Sequence, residues 1–159
     1  ITAKAAEEAA GGFADGDILV LAESPLATAE GRIIRLSDVV PSARAKALAQ
    51  EYSIDVRLAE IVLQESDEIV GGVPGYLLAR RGNLFLPNAG IDESNAPDGM
   101  VTLLPENPDA SAARVRAEIR EYTLLGQEIV LGCILAMLEH VGILEFRNCC
   151  HSFQWFLYC

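Results

Sequence analysis

The chain has 159 residues, of which 51% are hydrophobic, with a formal net charge of −11 and a pI near 4.5. That length and apolar content suffice for one domain burying about 70% of its unfolded surface, with no need for disulfide or metal staples. The acidity excludes a duplex nucleic acid or an anionic membrane surface as partner, because both require clustered Lys and Arg; a nucleotide is admitted if a divalent cation stands between carboxylate and phosphate.

Ile1 to Ala10 is Ala-rich, with Lys4, Glu7 and Glu8, and predicts an amphipathic helix stopped by Gly11-Gly12. It lacks the basic start and apolar stretch of a signal peptide, so a cytoplasmic protein is expected. The first residue is Ile and not Met, which reads as a trimmed or internal start. Ile18 to Leu21 is an apolar run between turn signals and predicts a buried strand, and Arg32 to Leu36 predicts a second. Pro41-Ser42 opens a helix with Ala45, Leu48, Ala49 and Tyr52 on one face, and Asp55 caps the next, which buries Leu58, Ile61 and Val62.

Gly71-Gly72 and Pro74-Gly75 break the chain ahead of a predicted hairpin. Tyr76 to Ala79 runs out, the Arg81-Gly82 region turns, and Asn83 to Leu86 returns. It delivers a loop of small and polar residues, Pro87-Asn88-Ala89-Gly90-Ile91-Asp92-Glu93-Ser94-Asn95. Asp92 and Asn95 thus project from a strand end, a common place for ligands to dock. Asp92 is chemically able to hold a hard cation, and Asn95 to hydrogen-bond a ligand beside it, while Gly90 lets the backbone approach closely. The competing reading is that Asn88, Asp92 and Asn95 close turns by bonding their own backbone.

Met100 to Leu104 predicts another strand. Asn107, followed by Pro108 and Asp109, starts a helix through Ile119 with Ala112, Val115, Ile119 and Tyr122 on one side. Interleaved strands and helices predict an α+β or α/β sheet covered by helices, of which the α+β arrangement, a mixed sheet with flanking helices, is the expectation. After about Arg120 the character changes, dividing the chain into a core, 1–120, and an apolar, Cys-rich tail, 121–159. The tail holds Cys133, Cys149, Cys150 and Cys159, His140 and His151, and Trp155. Its apolar run Ile129 to Leu138 is too short for a membrane span and is expected to form a buried helix. Adjacent cysteines lack the C-x-x-C spacing of zinc ligands, which favours reduced core residues.

Gly82 to Asn95 closely resembles the signature loop of the coenzyme F420-0:L-glutamate ligases, a family acting on a deazaflavin cofactor. The likeness extends to Asp15-Gly16-Asp17-Ile18-Leu19-Val20, Ala29-Glu30-Gly31-Arg32, Leu103-Leu104-Pro105 and Asp109-Ala110-Ser111-Ala112, covering about Asp15 to Ile119. It implies a ligase that adds L-glutamate through a γ-linkage to coenzyme F420-0, with GTP as co-substrate, Mg2+ or Mn2+, and K+ as a further candidate cation. The amine of glutamate would attack a carboxyl first activated as an acyl phosphate, chemistry in which the protein chiefly positions groups and neutralises charge. No Ser-His-Asp or Cys-His nucleophile is then required, and no catalytic side chain is assigned. By position in the motif, Asp92 matches the metal-binding aspartate and Asn95 the GTP-contacting asparagine. The family also implies a homodimer.

The chain departs from the family in three places. Where a Ser-Lys pair and further polar or basic residues face the nucleotide, it has Ala27-Thr28 and Glu23-Ser24. Thr28 removes an ammonium that would neutralise phosphate, whereas Ser24 retains a hydroxyl able to bond one, or else serves as a turn residue before Pro25. The family's initial strand and phosphate-contacting loop precede anything present. Its second, Asp-Thr metal site and glycine-rich nucleotide loop have no counterpart after Tyr122. The alternative to an active ligase is therefore a non-catalytic, ligase-like remnant that binds metal or nucleotide or serves only in assembly.

Overall fold

A computed structural model of the chain describes residues 18–123 and 130–134, with side chains over 21–121. Two compact units emerge. The first holds β1 (Ile18–Ala22), α1 (Glu23–Ala29), α4 (Pro108–Thr123) and β7 (Val130–Ile134); the second is Gly31–Leu104, inserted between α1 and α4. The fold is α+β, as the interleaved periodicities predict.

In the first unit β1 pairs in parallel with β7, from Ile18 opposite Val130 to Ala22 opposite Ile134. This corrects the expectation of a helix over Ile129 to Leu138: Val130–Ile134 is a strand. A short apolar run has the same appearance in either conformation, and only the neighbouring strand supplies the ladder bonds that decide it. Helix α1, which the sequence does not announce beyond Ser24 as a turn residue before Pro25 in one of its two readings, follows β1 directly and is stopped by Gly31, whose φ of +74° is the left-handed conformation usual after a helix. Helix α4 begins as predicted. The Asn107 side chain accepts from the Ala110 N–H at 3.0 Å, and Ala112, Val115 and Ile119 are buried. Glu30 accepts hydrogen bonds from Ser111 Oγ and Arg114, tying the end of α1 to α4.

In the second unit the predicted helices form as α2 (Ala43–Tyr52), capped by Ser42, and α3 (Val56–Gln64), capped by Asp55. The Asp55 carboxylate accepts from the N–H groups of Arg57 and Leu58 and from the Arg57 guanidinium. A three-stranded antiparallel sheet runs β3 (Glu68–Val73), β4 (Tyr76–Arg81), β5 (Leu84–Pro87), with β4 central. A second ladder pairs β2 (Ile33–Arg35) with β6 (Met100–Thr102). Ile61, Val62, Leu77 and Val101 are fully buried at the centre of the core.

Two turns reverse the sheet. Pro74-Gly75 has Pro first and then a glycine at φ +87°, the pattern of a type II turn, and Gly82 at φ +58° opens the two-residue turn between β4 and β5. The glycine pair at 71–72, read from sequence as a break, lies inside β3 with a bulge between Ile69 and Gly71. On β4 Leu77 and Ala79 face the core, whereas Tyr76, Leu78 and, on β5, Phe85 are exposed. Among the described residues no helix is long and apolar enough to cross a membrane. The predicted helix Ile1 to Ala10, the histidines, Trp155 and the cysteines other than Cys133 lie outside the described residues.

Candidate functional site

The loop after β5 begins with three consecutive residues in the left-handed region, Asn88 at φ +47°, Ala89 at +55° and Gly90 at +78°. All three are buried. L-residues adopt this conformation at a cost of roughly 1–2 kcal/mol each, glycine freely and asparagine more readily than alanine. The turn is closed by the Ile91 N–H donating to the Asn88 carbonyl at 3.0 Å. A Cβ on Gly90 would lie 2.5 Å from Leu104 Cδ1, so glycine is required for both its φ and its lack of side chain.

The chain leaves this turn extended at Ile91, and Asp92 is bonded to β6 in both directions. Its N–H donates to the Thr102 carbonyl at 2.9 Å, and its carbonyl accepts from the Thr102 N–H at 2.8 Å and from Thr102 Oγ1 at 3.2 Å. Pinned by its main chain, Asp92 presents its carboxylate at the loop surface. Oδ1 accepts from the Ser94 N–H at 2.8 Å and from Ser94 Oγ at 2.6 Å, and Oδ2 accepts from Asn95 Nδ2 at 2.8 Å.

Two of the sequence-derived site residues, Asp92 and Asn95, are therefore side by side. In this state the Asp92 side chain closes a local turn on the Ser94 N–H, whereas Asn95 bonds the Asp92 and Ser94 side chains, and the geometry gathers a carboxylate, a hydroxyl and a carboxamide within four positions. Ser94 and Asn95 are exposed, so their side chains can rotate without disturbing the core. Among the described residues no three His, Cys, Asp or Glu side chains cluster as metal ligands. A single carboxylate is no closed cage; a hard divalent cation held by one carboxylate would have to take its remaining ligands from water or phosphate.

Ser24 is in the first unit, on α1, buried, its hydroxyl donating to Glu23 Oε1 at 3.1 Å. Thr28, where the family pattern has a lysine, is exposed on the same helix. Asn88 was read from sequence only as a turn residue bonding its own backbone. Its side chain instead reaches another strand, where Oδ1 accepts from the Leu77 N–H at 2.8 Å. Thr102, with its 1% exposure, was not singled out at all, because nothing in Met-Val-Thr announces which loop it will face.

The segments quoted for the family likeness meet one another within each unit. Leu104 covers Gly90, and its carbonyl accepts from Arg32 Nε at 3.0 Å, while Arg32 also pairs with Glu65 at 2.5 Å. Glu30 meets Ser111. The likeness is thus carried by residues that support the loop as well as by the loop itself.

Comparison with known proteins agrees. The family described as F420-0:Gamma-glutamyl ligase matches residues 1–133. The chain is 41% identical over 116 residues to the coenzyme F420:L-glutamate ligase of Methanopyrus kandleri, covering 72% of this chain and 45% of that protein. It is 40% identical over 118 residues to the enzyme of that name from Methanothermobacter thermautotrophicus, covering 74% and 46%, and 43% identical over 111 residues to that of Halorubrum lacusprofundi, covering 66% and 44%. The chain spans a little under half the length of these curated relatives. With a family match over most of its residues and a loop built from that family's signature, the chain belongs to the F420-0:gamma-glutamyl ligases.

Proposed function

We propose that this chain carries part of the nucleotide and metal site of a GTP- and divalent-metal-dependent ligase that adds L-glutamate through a γ-linkage to coenzyme F420-0. The observation that carries the reading is the pairing of Asp92 with Asn95 on a backbone pinned to β6, in the loop that matches the family's signature. In the reaction, GTP's γ-phosphoryl passes to a carboxylate of the acceptor and GDP leaves. The nitrogen of glutamate then attacks that acyl carbon, the bond to phosphate breaks, inorganic phosphate departs and the amine gives up a proton. Asp92 would hold Mg2+ or Mn2+, which when bound neutralises charge on the phosphates. Asn95, released from Asp92, has a donor and an acceptor to orient the nucleotide. K+ as an additional cation, a homodimeric state and a cytoplasmic location belong to the same reading.

The second reading is a ligase-like module that binds metal or nucleotide, or serves only in assembly. It is favoured by Thr28, which stands where the family pattern has a lysine able to neutralise phosphate. Calorimetric titration of Mn2+ with GTP into the full chain and into Asp92→Ala, followed by a glutamate-transfer assay, separates the two. Metal-dependent GTP binding that weakens at least about tenfold in the variant supports the site and justifies a glutamate-transfer assay. A folded parent chain that gives no binding heat removes the ligase reading and leaves the assembly module.

A further inference from the structure

We infer that Asn88 is the positioning residue for Asp92, its buried carboxamide locking onto β4 the left-handed turn from which the Asp92 carboxylate projects. This rests on the reading of Asp92 as the cation-holding residue and concerns a side chain that the proposed site does not itself use.

The register of the β4–β5 hairpin pairs Arg81 with Leu84, Arg80 with Phe85, Ala79 with Leu86 and Leu78 with Pro87. The next facing pair in that series is Leu77 with Asn88, but β5 ends at Pro87. The Asn88 side chain takes over where the strand stops. Its Oδ1 accepts the Leu77 N–H at 2.8 Å, and its main-chain carbonyl is left to accept from Ile91 and close the turn. One residue thus satisfies a strand donor and a turn donor together, at 7% exposure, where an unpaired N–H is penalised by lost hydration.

Three successive left-handed residues hold together only when their surroundings over-determine them. The Asn88 lock fixes the start of the turn, Gly90 against Leu104 fixes its end, and the Asp92–Thr102 bonds fix the chain beyond. Of these only the first depends wholly on a polar side chain; in the third, Thr102 Oγ1 adds to two main-chain bonds. Asparagine combines tolerance of positive φ with an acceptor of the right reach. Glycine has the tolerance alone, and aspartate has both together with a charge. Without the lock the turn is free to relax toward right-handed or extended backbone, carrying Ile91 and Asp92 away from their register with β6.

The test compares the full chain with Asn88→Gly and Asn88→Asp. Amide hydrogen exchange by NMR reads the position of Asp92 without any metal, and manganese EPR, with and without GTP, reads its use. In Asn88→Gly the amides of Ile91, Asp92 and Thr102 are expected to exchange at least about tenfold faster, while Ile61 and Val62 in α3 change little. Its Mn2+ affinity is expected to fall about 10–100-fold, the usual effect of losing a group that orients a metal ligand, and Asn88→Asp to recover most of both losses. In the unmodified chain, the Leu77, Asp92 and Thr102 amides are expected to share one opening event, with protection alike to within about threefold. That comparison stands even if Asn88→Gly does not fold. Unchanged exchange at Asp92 and Thr102 in a folded Asn88→Gly, undiminished Mn2+ affinity in it, or unrelated protection of Leu77 and Asp92 in the parent each overturn the inference. A parent chain that binds no Mn2+ while Asn88→Gly still loosens Asp92 removes the cation reading and leaves the positioning role intact.

Discussion

Asp55 shows how one side chain can govern a helix start. It accepts from two main-chain N–H groups and from Arg57, and the Arg57 hydrogen bond foremost, with those amides, holds its carboxyl at about 2, below the ordinary 3.8, against a partial burial that acts the other way. The unfolded chain binds the proton more readily than the folded one, so the group's contribution is complete above about pH 4 and is lost as pH falls toward 2. Asp55→Ala is expected to cost about 1 kcal/mol at pH 7 by urea unfolding, and Asp55→Asn distinctly less, since a carboxamide still caps. The gap between parent and Asp55→Ala should shrink at pH 2. Equal midpoints at pH 7 would show that the cap contributes nothing. The Arg57–Asp55 pair is itself too exposed to add more than a few tenths of a kcal/mol.

Strand β3 is the element that the sequence conceals. Two adjacent glycines ahead of Pro74-Gly75 resemble the start of a loop, yet the strand continues because β4 supplies its ladder, and glycine is needed at 72 where the backbone lies against an aromatic ring and a carbonyl. A Cβ there would sit 2.6 Å from the Tyr76 carbonyl oxygen and 2.8 Å from Tyr52 Cδ1. The same contact region ties α2 to the hairpin, with the Gly75 N–H donating to the Tyr52 carbonyl at 2.7 Å. Gly72→Ala should therefore destabilise by about 1–3 kcal/mol through overpacking. Adding Tyr52→Ala relieves the ring contact but not the carbonyl one, so a double-mutant cycle in urea is expected to give a coupling of about 0.5 kcal/mol or more. Strictly additive losses would mean that the ring had yielded and the carbonyl contact carried the whole cost.

For the molecule as a whole, charge is the feature with the widest reach. A net charge of −11 on 159 residues repels itself in the compact state. Raising ionic strength from about 0.01 to 0.15 M shortens the screening length from about 30 to 8 Å. The midpoint of thermal unfolding is expected to rise across that interval when followed by calorimetry. A fall would mean that ion pairs such as Arg32–Glu65 and Arg80–Glu68 outweigh the repulsion.

What the sequence determined by itself was local. Ser42, Asp55 and Asn107 announced three helix starts because a cap acts on amides two or three residues away, and Leu58, Ile61 and Val62 announced a buried face because helical spacing is intrinsic. Pro74-Gly75 and Gly82 marked turns for the same reason. The signature loop was legible as a pattern, down to Asp92 and Asn95 as neighbours three positions apart. Only tertiary structure decided what lies opposite. Val130–Ile134 is a strand because β1 lies beside it, residue 72 is glycine because Tyr52 lies against it, and Asn88 works as a lock because Leu77 offers an N–H where β5 ends. Each of these depends on a partner at least eleven residues away, and the chain's local periodicity carries no record of which distant groups folding will bring into contact.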